Sequence, residues 1–161
     1  MTVPIPDSHR SLLDEPIIAV LTTLMPDGQP QSSLVWCDYD GTHVRVNITR
    51  ERQKGKNVQA DPRVSLLVID PDDTNRWIEI RGEVTITEDG AYECLDRLTQ
   101  LYTGKRHFYG VVAPVEQRQR ETRITCLIAP QRVNFDAIHS ISRKPPPEVG
   151  DEWTGRRPAG Q

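Results

Sequence analysis

The chain has 161 residues, 36% hydrophobic, 27% charged and 6% aromatic, with a net charge of −3. That length suits one domain with a sizeable core; the mild acidity offers no global field to nucleic acid or an anionic membrane, and no apolar run approaches the ~20 residues of a bilayer span. Cys37, Cys94 and Cys126 are odd in number and share no close spacing, which fits packed, reduced thiols rather than a disulfide framework or zinc site; with no signal-like apolar stretch in Met1–Arg10, the expectation is a soluble, cytoplasmic domain without a metal.

Ser8–Glu15 reads as a short helix closed by Pro16. Ile17–Leu24 is β-rich and apolar on both alternating sets, as in a strand covered on both faces. Pro26-Asp27-Gly28 is a turn, Gln31–Tyr39 a second strand ended by Asp40-Gly41, and Thr42–Thr49 a third. In the third, Val44, Val46 and Ile48 share one face and Arg45, Asn47 and Thr49 the other. These three strands read as an antiparallel meander. Arg52–Ala60 fits a short helix, with Gly55 a weakness in it, and Asp61-Pro62 ends it before a buried-type strand, Arg63–Asp70. Pro71–Asn75 is a turn. In the strand Arg76–Thr87, Ile78, Ile80, Val84 and Ile86 face one way and Trp77, Glu79, Arg81 and Glu83 the other.

Asp89–Tyr102 carries Ala91, Leu95, Leu98 and Tyr102 on one helical face, with Gly104 as its stop. Lys105–Val115 is a loop, Glu116–Glu121 a polar helical turn, and Arg123–Phe135 a last strand or strand pair. The order predicts a mostly β protein, a closed or nearly closed barrel with two or three short helices, spanning 1–138. A Pro-rich tail follows over 139–161.

Thr49-Arg50-Glu51-Arg52-Gln53-Lys54-Gly55-Lys56-Asn57 places four cations directly after a strand, at a predicted helix start. A helix N-terminus attracts anions through its unpaired N–H groups, and Arg52 grips a phosphate bidentately while the lysines act as point charges. The alternative reading is a solvated basic face. Nucleic-acid binding fits less well, because no aromatics interleave for base stacking. In Gln31–Trp36, the hydroxyls of Ser32 and Ser33 and the apolar Val35 and Trp36 suit the rim and face of a planar ring, or else divide between surface and core. Trp77, opposite Ile78 and Ile80, covers an interface, a ligand or a barrel end. Tyr102, His107, Phe108 and Tyr109 flank a loop that lines a pocket or simply packs. No Ser/His/Asp or Cys/His set emerges, His43 and His107 are isolated, and no catalytic residue is assigned; that fits chemistry carried by a bound redox cofactor.

Several segments together resemble one family. They are Ala19-Val-Leu-Thr-Thr-Leu24 with Asp27-Gly28 and Pro30, then Ser33-Leu-Val-Trp36, then Val46-Asn47, then Lys54-x-Lys56-Asn57-Val58 with Asp61-Pro-Arg-Val-Ser-Leu66, and Trp77-Ile-Glu-Ile-Arg-Gly-Glu-Val84. This ordered set, over roughly residues 10–135, resembles the pyridoxamine-phosphate-oxidase-like split β-barrel family, especially its coenzyme-F420-dependent oxidoreductase branch. The resemblance implies a homodimer with cofactor sites at its interface. It implies cofactor contacts from Asn47, Ile48 and Thr49, phosphate contacts from Arg52, Lys54, Lys56 and Asn57, and a ring near Ser33, Val35 and Trp36, with Trp77 a further candidate. The expected activity is hydride transfer from reduced F420 to an unsaturated small molecule. FMN on the same fold, or a non-catalytic flavin or deazaflavin binder, are the alternatives. Arg132-Val-Asn-Phe135 does not reproduce the substrate element of pyridoxamine-phosphate oxidase, so vitamin B6 oxidation is not expected.

Overall fold

The computed structural model describes residues 1–136, so the Pro-rich tail expected over 139–161 lies outside the described residues. Alternation sets the architecture. Strands β1 (Ala19–Leu24), β2 (Pro30–Val35), β3 (Cys37–Tyr39), β4 (Val44–Thr49), β5 (Arg63–Ile69), β6 (Trp77–Thr87) and β7 (Arg123–Phe135) form one sheet in the order β2-β1-β5-β6-β7-β4-β3. Every pairing is antiparallel. Ala19 and Leu21, Val44 and Val46, Leu66 and Val68, Ile78 and Ile80, and Ile124 and Ile128 turn inward and are almost wholly buried. Curling around that row of β-branched and leucine side chains, the sheet makes a split barrel. Three short helices complete it: α1 (Ser11–Asp14), α2 (Gln53–Ala60) and α3 (Ala91–Thr103).

Two expectations are corrected. Gln31–Tyr39 is not one strand. It breaks at Trp36, with β2 on one edge of the sheet beside β1 and β3 on the other edge beside β4. Val35 and Cys37 are both buried, so the local pattern shows no end at Trp36, where the chain passes from one edge to the other. The meander is therefore two separate hairpins. β1 is also covered on one face only. Ala19, Leu21 and Thr23 are buried, while Val20, Thr22 and Leu24 remain half-exposed. In register with Val20 stand Leu34, 68% exposed, and Leu67.

β7 is a single 13-residue strand, pairing with β4 near its start and with β6 along most of its length. Gly82 allows this crossing, because a Cβ there would meet Ala129 O at 2.0 Å. α3 buries Ala91, Cys94, Leu95 and Leu98 and ends on Gly104 at φ 72°, as its sequence predicts. All three cysteines are buried. Burial pushes the Cys37 and Cys126 thiols up to about 12, which keeps them protonated and inert at neutral pH.

Tyr102, on the last turn of α3, joins the two strand ends. Its Oη accepts the Cys37 N–H at 3.1 Å and lies 2.8 Å from Ile17 O and 3.0 Å from Cys37 O, which compete for its proton. Tyr102→Phe leaves those groups unpaired and is expected to cost about 2 kcal/mol. Thermal denaturation checks this as a fall in Tm of roughly 4–8 °C.

Candidate functional site

At the end of β4 the chain reverses over Arg50–Arg52 and enters α2. Gly55 sits where a Cβ would meet Thr49 O at 2.1 Å and Arg50 O at 2.8 Å. The residue that looks like a helix weakness is therefore what lets α2 lie against the strand end. The N-cap, Arg52, makes no side-chain cap, so the first N–H groups of the helix lack intrahelical acceptors.

Beside this helix start is an open cavity of about 190 Å³, lined by Leu34, Val35, Trp36, Asn47, Ile48, Thr49, Arg52, Lys54, Leu95, Phe108 and Arg123. One end is cationic. Lys54 Nζ donates to Ser33 Oγ at 3.2 Å. Burial, then the neighbouring Arg52 and Arg123, holds the Lys54 ammonium below the usual lysine range. Among the described residues neither Arg52 nor Lys54 has a carboxylate partner within salt-bridge distance. Two buried polar atoms on the same wall, Asn47 Oδ1 and Thr49 Oγ1, have no hydrogen-bond partner among the described residues. Asn47 spends its Nδ2 on Ala91 O at 2.7 Å, which fixes the free carbonyl oxygen. The other wall is apolar. Trp36 stacks on Tyr102, with centroids 5.2 Å apart and planes 15° from parallel, and meets Phe108 edge-on at 6.3 Å.

Of the residues singled out in the sequence, Val35, Trp36, Asn47, Ile48, Thr49, Arg52 and Lys54 meet in this cavity. Ser33 touches it through Lys54. Asn57 does not line it: its Nδ2 donates to Thr23 Oγ1 at 3.0 Å and Gln31 Oε1 at 3.2 Å, and its Oδ1 accepts from Gln53, tying α2 to the β1–β2 hairpin. Lys56 is exposed on α2. Trp77 begins β6 beside Phe135, at the other end of β7 from Arg123, and its N–H donates to Asp136 at 2.9 Å. Arg50 is occupied by Gln59 and Glu88. Of the loop residues, Phe108 lines the cavity, while His107 pairs with Asp96 at 2.8 Å outside it.

Sequence reasoning passed over Arg123 and Leu95. Arg123 is only 7% exposed. Its one signal in the sequence is a lone cation heading the buried-type run Ile124–Ile128, where an arginine needs a partner. Among the described residues no cluster of His, Cys, Asp and Glu could hold a metal, and no helix is long and apolar enough to cross a membrane.

A cationic end with unpaired donors, set beside an apolar wall, accommodates a molecule that joins an anion to a flat ring. The seven-stranded split barrel itself is a fold of F420-type and flavin-binding oxidoreductases. Residues 5–135 match the pyridoxamine 5'-phosphate oxidase family, and the chain belongs to it. A solved structure described as an F420 reductase is 32% identical, with a TM-score of 0.69 over 81% of this chain and 98% of that one. The conserved hypothetical protein Rv2991 from Mycobacterium tuberculosis is 24% identical, with a TM-score of 0.65 over 89% of this chain and 92% of that one. A putative pyridoxamine 5'-phosphate oxidase from Listeria innocua shares the fold at 19% identity and a TM-score of 0.60, over 80% of this chain and 95% of that one.

Proposed function

We propose that the protein is an F420-dependent oxidoreductase whose cofactor phosphate rests at the N-terminus of α2. The observation that carries this is the pair Arg52 and Lys54, without a carboxylate partner among the described residues, beside the unpartnered hydroxyl of Thr49. The 32% identity to an F420 reductase favours the deazaflavin over FMN. Arg52 supplies a bidentate fork, Lys54 a point charge aimed by Ser33, and the free N–H groups of α2 and the Thr49 hydroxyl complete the donor set. Val35, Trp36 and Ile48 wall the ring, Asn47 Oδ1 accepts from a ring N–H, and exposed Lys56 is available to an anionic tail. When bound, the reduced deazaflavin supplies a hydride to an electron-poor, unsaturated substrate. The chain's own part is to bind, orient and exclude water.

Fluorescence titration with F420 and, in parallel, FMN tests this. Low-micromolar binding that prefers F420, followed by turnover of enone or quinone substrates, is expected. Preference for FMN moves the protein to the flavin side of the fold. Binding without turnover leaves a carrier, and binding of neither refutes the reading.

We infer further that the working unit is a homodimer. A cavity of about 190 Å³ is smaller than the ~300–1,000 Å³ of a cleft enclosing such a ligand. Leu34, on its rim, continues into the half-covered row Val20 and Leu67. A second copy placed on that row buries it and deepens the site. Light scattering on the full chain is expected to give twice the chain mass, and Leu34→Glu to give a monomer with weaker cofactor binding. A monomeric wild type would refute the dimer.

A further inference from the structure

We propose that Arg123 is a third anion-binding residue of the cavity, held in place by Tyr109 and Glu121. The inference rests on reading the cavity as a phosphate cradle, and it assigns a ligand contributed by β7 rather than by the α2 segment. Arg123 and Thr49 are register partners across β7 and β4, and both line the cavity. The guanidinium therefore stands on the strand next to the unpartnered Thr49 hydroxyl.

The guanidinium is fixed rather than free to swing. Nε donates to Tyr109 Oη at 2.8 Å and Nη2 to Glu121 Oε1 at 2.8 Å. The Phe108 ring lies 4.7 Å from its central carbon. Those bonds use two of the five N–H donors of an arginine. A buried ion pair with no further duty would not need to line a cavity beside two other cations. Here its charge reaches Lys54 and helps depress that ammonium.

Arg52, Lys54 and Arg123 line the cavity, and among the described residues no carboxylate does; setting Glu121, the ion-pair partner of Arg123, against the three cations leaves an excess of two positive charges. The matching ligand carries about two negative charges at this end: a phosphomonoester dianion, or a phosphodiester with a carboxylate beside it. Glu121 and Tyr109 belong to the segment between α3 and β7, so they are positioning residues that act on the ligand through Arg123. Removing the Glu121 charge without removing its acceptor keeps the guanidinium in place and leaves its positive charge uncompensated for the ligand. It should therefore tighten anion binding, the opposite of what loss of a merely structural ion pair would do.

The experiment is calorimetric titration of the full chain and of its Arg123→Lys and Glu121→Gln variants with inorganic phosphate, FMN and F420, with thermal melts alongside. Arg123→Lys keeps the charge and loses the fork. It is expected to weaken every probe the wild type binds by roughly tenfold or more. Glu121→Gln is expected to tighten those probes by roughly three- to fivefold, with an affinity that falls more steeply with salt. Unchanged affinity in Arg123→Lys, or weakened affinity in Glu121→Gln, overturns the assignment. Should Arg123→Lys fail to fold, the sign of the Glu121→Gln effect decides alone. Phosphate bound with this pattern while neither cofactor binds would keep Arg123 as a ligand and refute the cofactor reading. Cofactor bound equally by all three proteins would do the reverse, and a wild type that binds none of the probes refutes both.

Discussion

Gly55→Ala is expected to cost about 3 kcal/mol or more and to abolish cofactor binding. Helix propensity alone points the other way, since alanine inside a helix is worth ~1 kcal/mol over glycine. Geometry outweighs it. The new Cβ would lie 2.1 Å from Thr49 O and 2.8 Å from Arg50 O, both of them backbone atoms with little room to yield. Relief requires α2 to lift from the end of β4, taking Lys54 away from Ser33 and its free N–H groups away from Thr49. Stability and binding therefore fall together. Thermal denaturation should show Tm lowered by roughly 6–12 °C, and F420 titration should show no saturable signal. Lys56→Ala, exposed on the same helix, is the control that keeps Tm. A Gly55→Ala protein as stable as wild type would mean that the helix tolerates displacement and that the site is not built on this approach.

The contrast between Gly55 and its neighbours explains what the sequence conveyed and what it withheld. Alternation in Val44–Thr49 and Arg76–Thr87 made the inward faces readable, because a strand repeats every two residues whatever it pairs with. The order of the elements pointed to a closed or nearly closed barrel, and the family likeness of the segments to its split form. Pairing partners were not readable. Val35 and Cys37 keep the same inward phase across Trp36, so a passage between sheet edges leaves no mark in the pattern. A requirement for glycine imposed by a close approach also leaves no local signal: Gly55 has an ordinary helical setting, and its reason lies on Thr49 and Arg50. At the site, the cations of α2 stood out as a charge run in an acidic chain. The run overstates its own chemistry, since Arg50 is spent on Glu88 and Gln59, and Asn57 on Thr23 and Gln31. Arg123, 71 residues beyond Arg52 in the sequence, joins the cavity only through β4–β7 pairing, which no local spacing reveals.

Lys54→Met separates binding from stability more sharply than any other single change. In the free protein Lys54 is partly desolvated, lies near two arginines and, among the described residues, has only the Ser33 hydroxyl as a polar partner. Its charge is a cost that the fold carries for the ligand, so the variant is expected to melt at the same temperature as wild type or a little above it. Its affinity for F420 is expected to fall roughly ten- to hundredfold, the loss of one charge-assisted hydrogen bond; adding Arg52→Ala should take binding below detection. The same asymmetry fixes the pH dependence. The folded ammonium titrates below the ordinary lysine value of 10.5, so the unfolded chain holds more protons in that window. Stability of the free protein therefore gains from this group as pH rises through it. Anion binding needs the protonated form, so affinity should decline over the same range, and binding near its lower edge should be accompanied by proton uptake. Titration calorimetry in buffers of different ionisation enthalpy measures that uptake directly. Lys54→Met should abolish it, whereas the same proton count in wild type and variant would mean that Lys54 does not meet the anion.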